Sequence, residues 1–204
     1  MTETLLALGL VAVLIPSLVI HEVAHAWTAD MLGDSTARDA GRISLNPVRH
    51  VDPFGTLLLP IVMALVAPFV VGYAKPVMIM PGNLRNPRLH SVVVALAGPA
   101  SNFAIAGLGI IAFRLLRPED GTFFWFAFAL VIVVNVVLGI FNMLPIPPLD
   151  GSALIDAMLP NRWLRVWYRI RPFTIILVFA MLIFFRTSLE PILRWAVDLW
   201  EAQQ

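Results

Sequence analysis

Residues 5 to 20, LLALGLVAVLIPSLVI, form an unbroken charge-free run that leads straight into His21-Glu22-Val-Ala-His25. Few features restrict a fold more tightly. An apolar helix carrying three ionisable groups at membrane depth must turn them toward protein, water or a metal, because lipid solvates none of them. Helical residues four apart differ by roughly 40° around the axis, so both imidazoles share a face and can reach one ion. Glu22 then stands beside them as a general base for a bound water. In a soluble helix the same pattern would be an ordinary polar face, and the flanking run argues against that.

Composition agrees with a membrane setting. The 204 residues are 59% hydrophobic and only 13% charged, with a mean hydropathy of +0.85, which places the chain among polytopic membrane proteins. Cysteine is absent, which excludes disulfides and thiolate metal sites, so any zinc must use nitrogen and oxygen ligands. No basic stretch precedes the first apolar run and no small-residue cleavage site follows it, so it reads as a retained helix rather than a signal peptide. Dispersed arginines without a recognition motif give nucleic-acid binding no support.

Taken in order, the first span covers residues 4 to 32, longer than the roughly 20 residues that cross a bilayer, and HEVAH lies in its C-terminal half. Gly33 and Asp34 stop it. Arg42 to Leu45 alternates like a short strand, and Tyr73 to Met80 is a matching extended piece, so a small β-hairpin-like element is expected beside the metal helix. Phe54 to Gly72 has the hydropathy of a span but is broken by Pro60 and Pro68, and reads as re-entrant or interfacial. Arg88 to Leu116 and Phe123 to Leu144 are spans, the first carrying Gly98, Ala100 and Ser101 in LAGPASN, where another helix can approach closely.

Residues 160 to 171, PNRWLRVWYRIR, set four arginines beside Trp163, Trp167 and Tyr168, the make-up of an interfacial segment. Phe173 to Phe185 begins a short last span, and the tail from Ile192 to Trp200 has the spacing of a surface helix. The expected fold class is an all-α polytopic membrane protein of about four transmembrane helices plus a re-entrant or interfacial segment, with the hairpin-like element near the active site. One domain, residues 1 to 204, has its core at 4 to 160 and an interfacial segment with the last span at 161 to 204.

A catalytic zinc takes three protein ligands and leaves one position for water, and HEVAH supplies two. His50, Asp52, His90, Asp150 and Asp156 are the side chains that can arrive at membrane depth. Asp150 stands out. It follows a span in NMLPIPPLDG, where three prolines forbid regular helix. Non-helical backbone at that depth is tolerated only against protein or a wet cavity, although an Asp-Gly after prolines also marks an ordinary turn.

HEVAH in the first span, LAGPASN at the start of a later one and NMLPIPPLDG at the end of the next occur in the order seen in the site-2 proteases, and the chain resembles these intramembrane zinc metalloproteases of the M50 class. The resemblance covers most of the chain. It implies Zn²⁺ held by His21, His25 and Asp150, Glu22 as base, and Asn102 and Asn142 as polar groups for substrate backbone or the oxyanion. It also implies cleavage in or next to transmembrane segments of membrane-protein substrates. The PDZ and CBS modules frequent in the family are not seen, nor is the span that often precedes the H-E-x-x-H helix; residues 46 to 60 look like an insertion of a small bacterial branch. The alternative is a membrane metal carrier or sensor using the same three ligands without hydrolysis, which would not require Glu22.

For His21, His25 and Asp150 to meet, an odd number of crossings must separate the first span from Phe123 to Leu144. Arg88 to Leu116 is one, so Phe54 to Gly72 should not be another. Basic residues gather on the side where the metal helix ends, which makes that side the cytosol of a cell membrane and puts the metal toward its cytosolic leaflet. Single cysteines at Arg49 and Asn83 should therefore both react with a membrane-impermeant reagent from the cytosolic face only; labelling of position 83 from outside would mean a true span.

Overall fold

The computed structural model describes residues 3–50, 77–174, 176–178 and 180. The expected re-entrant segment Phe54 to Gly72, Asp52, residues 73 to 76 of the second strand piece, most of the last span and the tail lie outside the described residues. Helix α1 runs Glu3–Met31, α2 is Thr36–Asp39, α3 is Pro87–Leu116, α4 is Phe123–Asn142, α5 is Ser152–Met158 and α6 is Asn161–Ile170. Among the described residues three helices, α1, α3 and α4, are long and apolar enough to cross a membrane.

Local chemistry sets the ends of these helices. Asn86 accepts from the Leu89 N–H at 3.3 Å and Pro87 follows at the first helical position, where its missing N–H would be unpaired anyway. Thr122 caps α4 in the same way through the Trp125 N–H. At the end of α1, Gly33 takes φ +114°, a left-handed conformation that costs glycine little, and the Asp34 N–H returns to the Ala29 carbonyl at 2.9 Å. Pro16 removes the N–H that would bond the Ala12 carbonyl, yet α1 continues through it.

Helix α3 is the centre of the bundle, packing on α1 and on α4, which touch each other less. Small residues bring the backbones together. A Cβ at Gly139 of α4 would stand 2.8 Å from the Phe103 ring of α3, and one at Gly109 would stand 3.0 Å from Ile132. Outward positions such as Leu8, Val11, Leu108, Ile111, Val133 and Val137 stay exposed, as they should where the neighbour is lipid.

Arg42 to Leu45 is not a strand, and the described residues contain none. Its backbone is already engaged in tight local bonds, Arg42 N–H to Ala37 O at 2.8 Å and Ser44 N–H to Arg42 O at 2.9 Å, which replace a ladder. Val77 to Met80 is neither helix nor turn, and two of its N–H groups meet carboxylates, with no neighbouring strand among the described residues. Val77 donates to Glu22 Oε2 at 3.1 Å and Met80 to Asp34 Oδ2 at 2.6 Å.

Asp34 is fully buried and also accepts from the Thr36 N–H, the Thr36 hydroxyl and the Asn83 amide, tying the end of α1 to the segment before α3. Burial alone would raise its pKa, but these hydrogen bonds outweigh that and hold the carboxyl below its ordinary value. A lowered folded-state pKa gives stability that is present above the ordinary carboxylate range and lost as pH falls through the folded value. Asp34→Ala leaves several donors unpaired and should lower stability by about 3 kcal/mol. Thermal unfolding in detergent should register that loss, and the variant's stability should fall less with acid than that of the wild type.

Candidate metal centre

Because α1 is a regular helix through His21 and His25, the two rings stand one turn apart, with centroids 4.6 Å apart and nearly perpendicular planes. Their Nε2 atoms lie 3.0 Å from each other. Asp150 arrives from the proline-rich turn after α4, and its Oδ2 lies 3.0 Å from His21 Nε2 and 3.3 Å from His25 Nε2. That turn is fixed by the Gly151 N–H, which donates to the Asn142 carbonyl at 2.7 Å. A side chain at Gly151 would run into the Met143 carbonyl, so glycine is what lets the Asp150 turn close on the end of α4.

A buried chain of hydrogen bonds dictates which imidazole nitrogen carries the proton. The Val131 carbonyl can only accept, so Asn135 must present Nδ2 to it, and the same Nδ2 donates to Ser17 Oγ, both at 2.9 Å. Asn135 Oδ1 then faces Asn102 and accepts from its Nδ2 at 2.9 Å, which turns Asn102 Oδ1 toward His21. His21 Nδ1–H donates to that oxygen at 2.6 Å, and His25 Nδ1–H donates to the Val94 carbonyl at 2.7 Å. Neutral imidazoles protonated at Nδ1 have bare Nε2 atoms. In that neutral form three lone-pair atoms converge on one point.

Such a cluster is repulsive unless a cation joins it, and Asp150 Oδ2 is buried without a hydrogen-bond partner among the described residues. The donor set, two neutral imidazoles and one carboxylate, is the nitrogen and oxygen set zinc accepts. Tetrahedral bonds of about 2.0–2.1 Å separate ligand atoms by about 3.3 Å, close to the spacing observed here. His21, His25 and Asp150 are the one group of this kind among the described residues. Gly98 of α3 lies against them; a Cβ there would stand 2.6 Å from the His21 ring and closer still to His25.

The trio opens on a cavity of about 990 Å³ that Glu22, Val77 and Asn142 also line. Asn142 keeps its amide on the Leu138 carbonyl at 3.1 Å. Asn102, expected to face substrate or oxyanion, is instead fully buried with both ends of its amide engaged. His50 is buried elsewhere, its Nε2 2.7 Å from the Ser44 carbonyl, and His90 accepts from the Asn86 N–H. Asp156 pairs with Arg171 at 3.2 Å and accepts from Trp167 Nε1. Sequence reasoning missed Asn135 and Ser17. The available signal was an asparagine in the middle of an apolar span, since an unpartnered amide is costly in lipid.

The profile described as peptidase family M50 matches residues 118–185, the stretch that includes Asp150 and its turn. A Bacillus subtilis (strain 168) protein named "Putative zinc metalloprotease YwhC" is 40% identical over 158 residues, covering 74% of this chain and 69% of that protein. The chain belongs to the site-2 protease family, M50. Two mycobacterial members named in the same manner, both Rip2, are also similar. That of Mycobacterium tuberculosis is 31% identical over 188 residues, 90% of this chain and 70% of its own length. That of Mycolicibacterium smegmatis is 29% identical over 167 residues, 82% of this chain and 63% of its own length. No solved structure matches. This M50 member is thus a zinc metalloprotease and a membrane protein, and its donor trio fits the family's metal.

The hydrogen-bonded chain behind His21 gives a direct test. Asn135→Leu frees the Asn102 amide to turn and present a donor to His21 Nδ1, so zinc affinity should fall about 10- to 100-fold, the range for losing such a supporting partner. Competition with a chelator measures it.

Proposed function

We propose that this M50 protease hydrolyses peptide bonds in or next to transmembrane segments of membrane proteins, with its site toward the cytosolic leaflet of the cell membrane. The observation that carries the reading is the convergence of His21 Nε2, His25 Nε2 and Asp150 Oδ2 beside Glu22, at the wall of one cavity between apolar helices. In this reading His21, His25 and Asp150 hold the metal and Glu22 is the general base. Zinc, when bound there, supplies a Lewis acid for the scissile carbonyl and acidifies a water.

Glu22 takes a proton from the water whose oxygen attacks the carbonyl carbon, and passes it to the leaving amine nitrogen as the C–N bond breaks. Its neighbours suit that task. The Val77 N–H holds Glu22 Oε2 at 3.1 Å and so limits the rotamers of the carboxylate. Of the two asparagines, Asn142, on the cavity wall, is the one placed for substrate backbone, whereas Asn102 orients His21 from behind.

A helical substrate hides its amides in its own i to i+4 bonds and must unwind before cleavage. Val77 to Met80 offers a backbone edge along which an unwound segment can lie, since it is not paired with another strand among the described residues. A carrier would give Glu22 no task, and the relatives' names speak for proteolysis.

Glu22→Gln should lower hydrolysis by about 10² to 10⁴-fold or more while leaving zinc content unchanged, because the variant loses a base and not a ligand. Asp150→Ala should lose zinc and activity together. Elemental analysis of both purified variants, alongside a comparison of membrane proteomes for accumulated membrane stubs, reads the two effects separately. Zinc retained in Asp150→Ala would overturn the ligand set.

A further inference from the structure

Helix α6, NRWLRVWYRI, divides into three faces. At about 100° per residue, Arg162, Arg165 and Arg169 fall within roughly 60° of one another, and Trp163, Val166 and Ile170 within another roughly 60° beside them. Leu164 and Tyr168, with Arg171 at the helix end, make up the third face and line the catalytic cavity. Trp167 sits at its border and donates to Asp156 Oδ1 at 2.5 Å, while Arg171 pairs with Asp156 Oδ2 at 3.2 Å. One flank of α6 is therefore fastened to the protein.

The other two faces are exposed. Trp163, Val166 and Ile170 are 53%, 46% and 49% exposed, a run of large apolar side chains that neither water nor the other described residues account for. The three arginines are exposed as well, and no acidic residue occurs from Asn161 to Arg171. None of these arginines has a carboxylate partner among the described residues.

We propose that α6 docks on an anionic lipid surface, with Trp163, Val166 and Ile170 entering the boundary of the acyl chains and Arg162, Arg165 and Arg169 engaging lipid phosphates. Charge and shape both favour this occupant. An apolar face flanked by a basic stripe seats a helix in the plane of the bilayer, and guanidinium groups at headgroup level meet phosphate without leaving water entirely. An acidic protein would satisfy the arginines but not the apolar face at membrane level. Each basic residue near an anionic surface adds to the attraction, so three together make the seating depend on lipid charge and on salt. Because the opposite flank of α6 lines the cavity, seated lipid also steadies the cavity wall. The inference does not rest on hydrolysis, and its test does not read it.

Full-length protein carrying Val166→Cys, the only cysteine then present, is labelled with an environment-sensitive fluorophore and reconstituted in vesicles of phosphatidylcholine alone or mixed with phosphatidylglycerol. With phosphatidylglycerol the emission should shift to the blue and be quenched by lipids spin-labelled high on the chain; without it both effects should weaken. Added inorganic phosphate should not replace the anionic lipid. Exchange of Arg162, Arg165 and Arg169 together to Gln should abolish the dependence on lipid charge, and exchange to Lys should retain it. Equal emission in both vesicles, a shift retained by the Gln variant or lost in the Lys variant, or a shift produced by free phosphate would overturn the proposal.

Discussion

Three electron-pair acceptors held within 3.3 Å of one another cannot coexist at membrane depth without positive charge between them. That constraint organises the molecule. Two acceptors sit on α1 and the third is far along the chain, beyond α4, so every element between them must return the backbone to the same place. A hydrophobic bundle alone would tolerate many rotations and slides of its helices, whereas a metal site accepts deviations of a few tenths of an ångström.

Polar groups inside the bundle do the fine setting. Ser17 on α1, Asn102 on α3 and Asn135 on α4 form one hydrogen-bonded chain that ends on His21, so each of the three long helices contributes to the orientation of that imidazole. Water is scarce there, and an amide that lost its partner would find no replacement. Gly98 completes the arrangement by letting the α3 backbone pass directly over both imidazoles, close enough for the Val94 carbonyl to accept from His25. Tight helix contact and a defined histidine tautomer are thus consequences of the same packing.

The edge of the site uses carboxylates in an unexpected way. Glu22 and Asp34, both on or just past α1, take the N–H groups of Val77 and Met80, so side chains hold a segment that reads as a strand, with no partner strand among the described residues. Asp34 does this fully buried, with its charge spread over several donors. On the opposite rim, Asp156 fastens α6 through Trp167 and Arg171, leaving its arginine stripe facing outward.

Much of this was legible in the residues. Helical spacing dictates that His21 and His25 share a face, and the three prolines before Asp150 dictate that it is presented from irregular backbone, because both facts follow from local geometry. The bounds of the long helices likewise follow from apolar runs and their caps, within one or two residues. The strand at Arg42 to Leu45 was misread, since alternation cannot reveal that its N–H groups find acceptors a few residues away. Asn102 shows the other limit: its motif places it near the site, but only helix packing turns its amide inward to His21 rather than outward to the cavity. Asn135 carries no local signal beyond being polar in an apolar span. The chain by itself determined which groups could bind a metal and roughly how the spans lie. Which nitrogen stays bare, which asparagine supports it and which face of α6 stays open were decided by contacts between residues tens of positions apart, which only the assembled bundle brings within hydrogen-bonding distance.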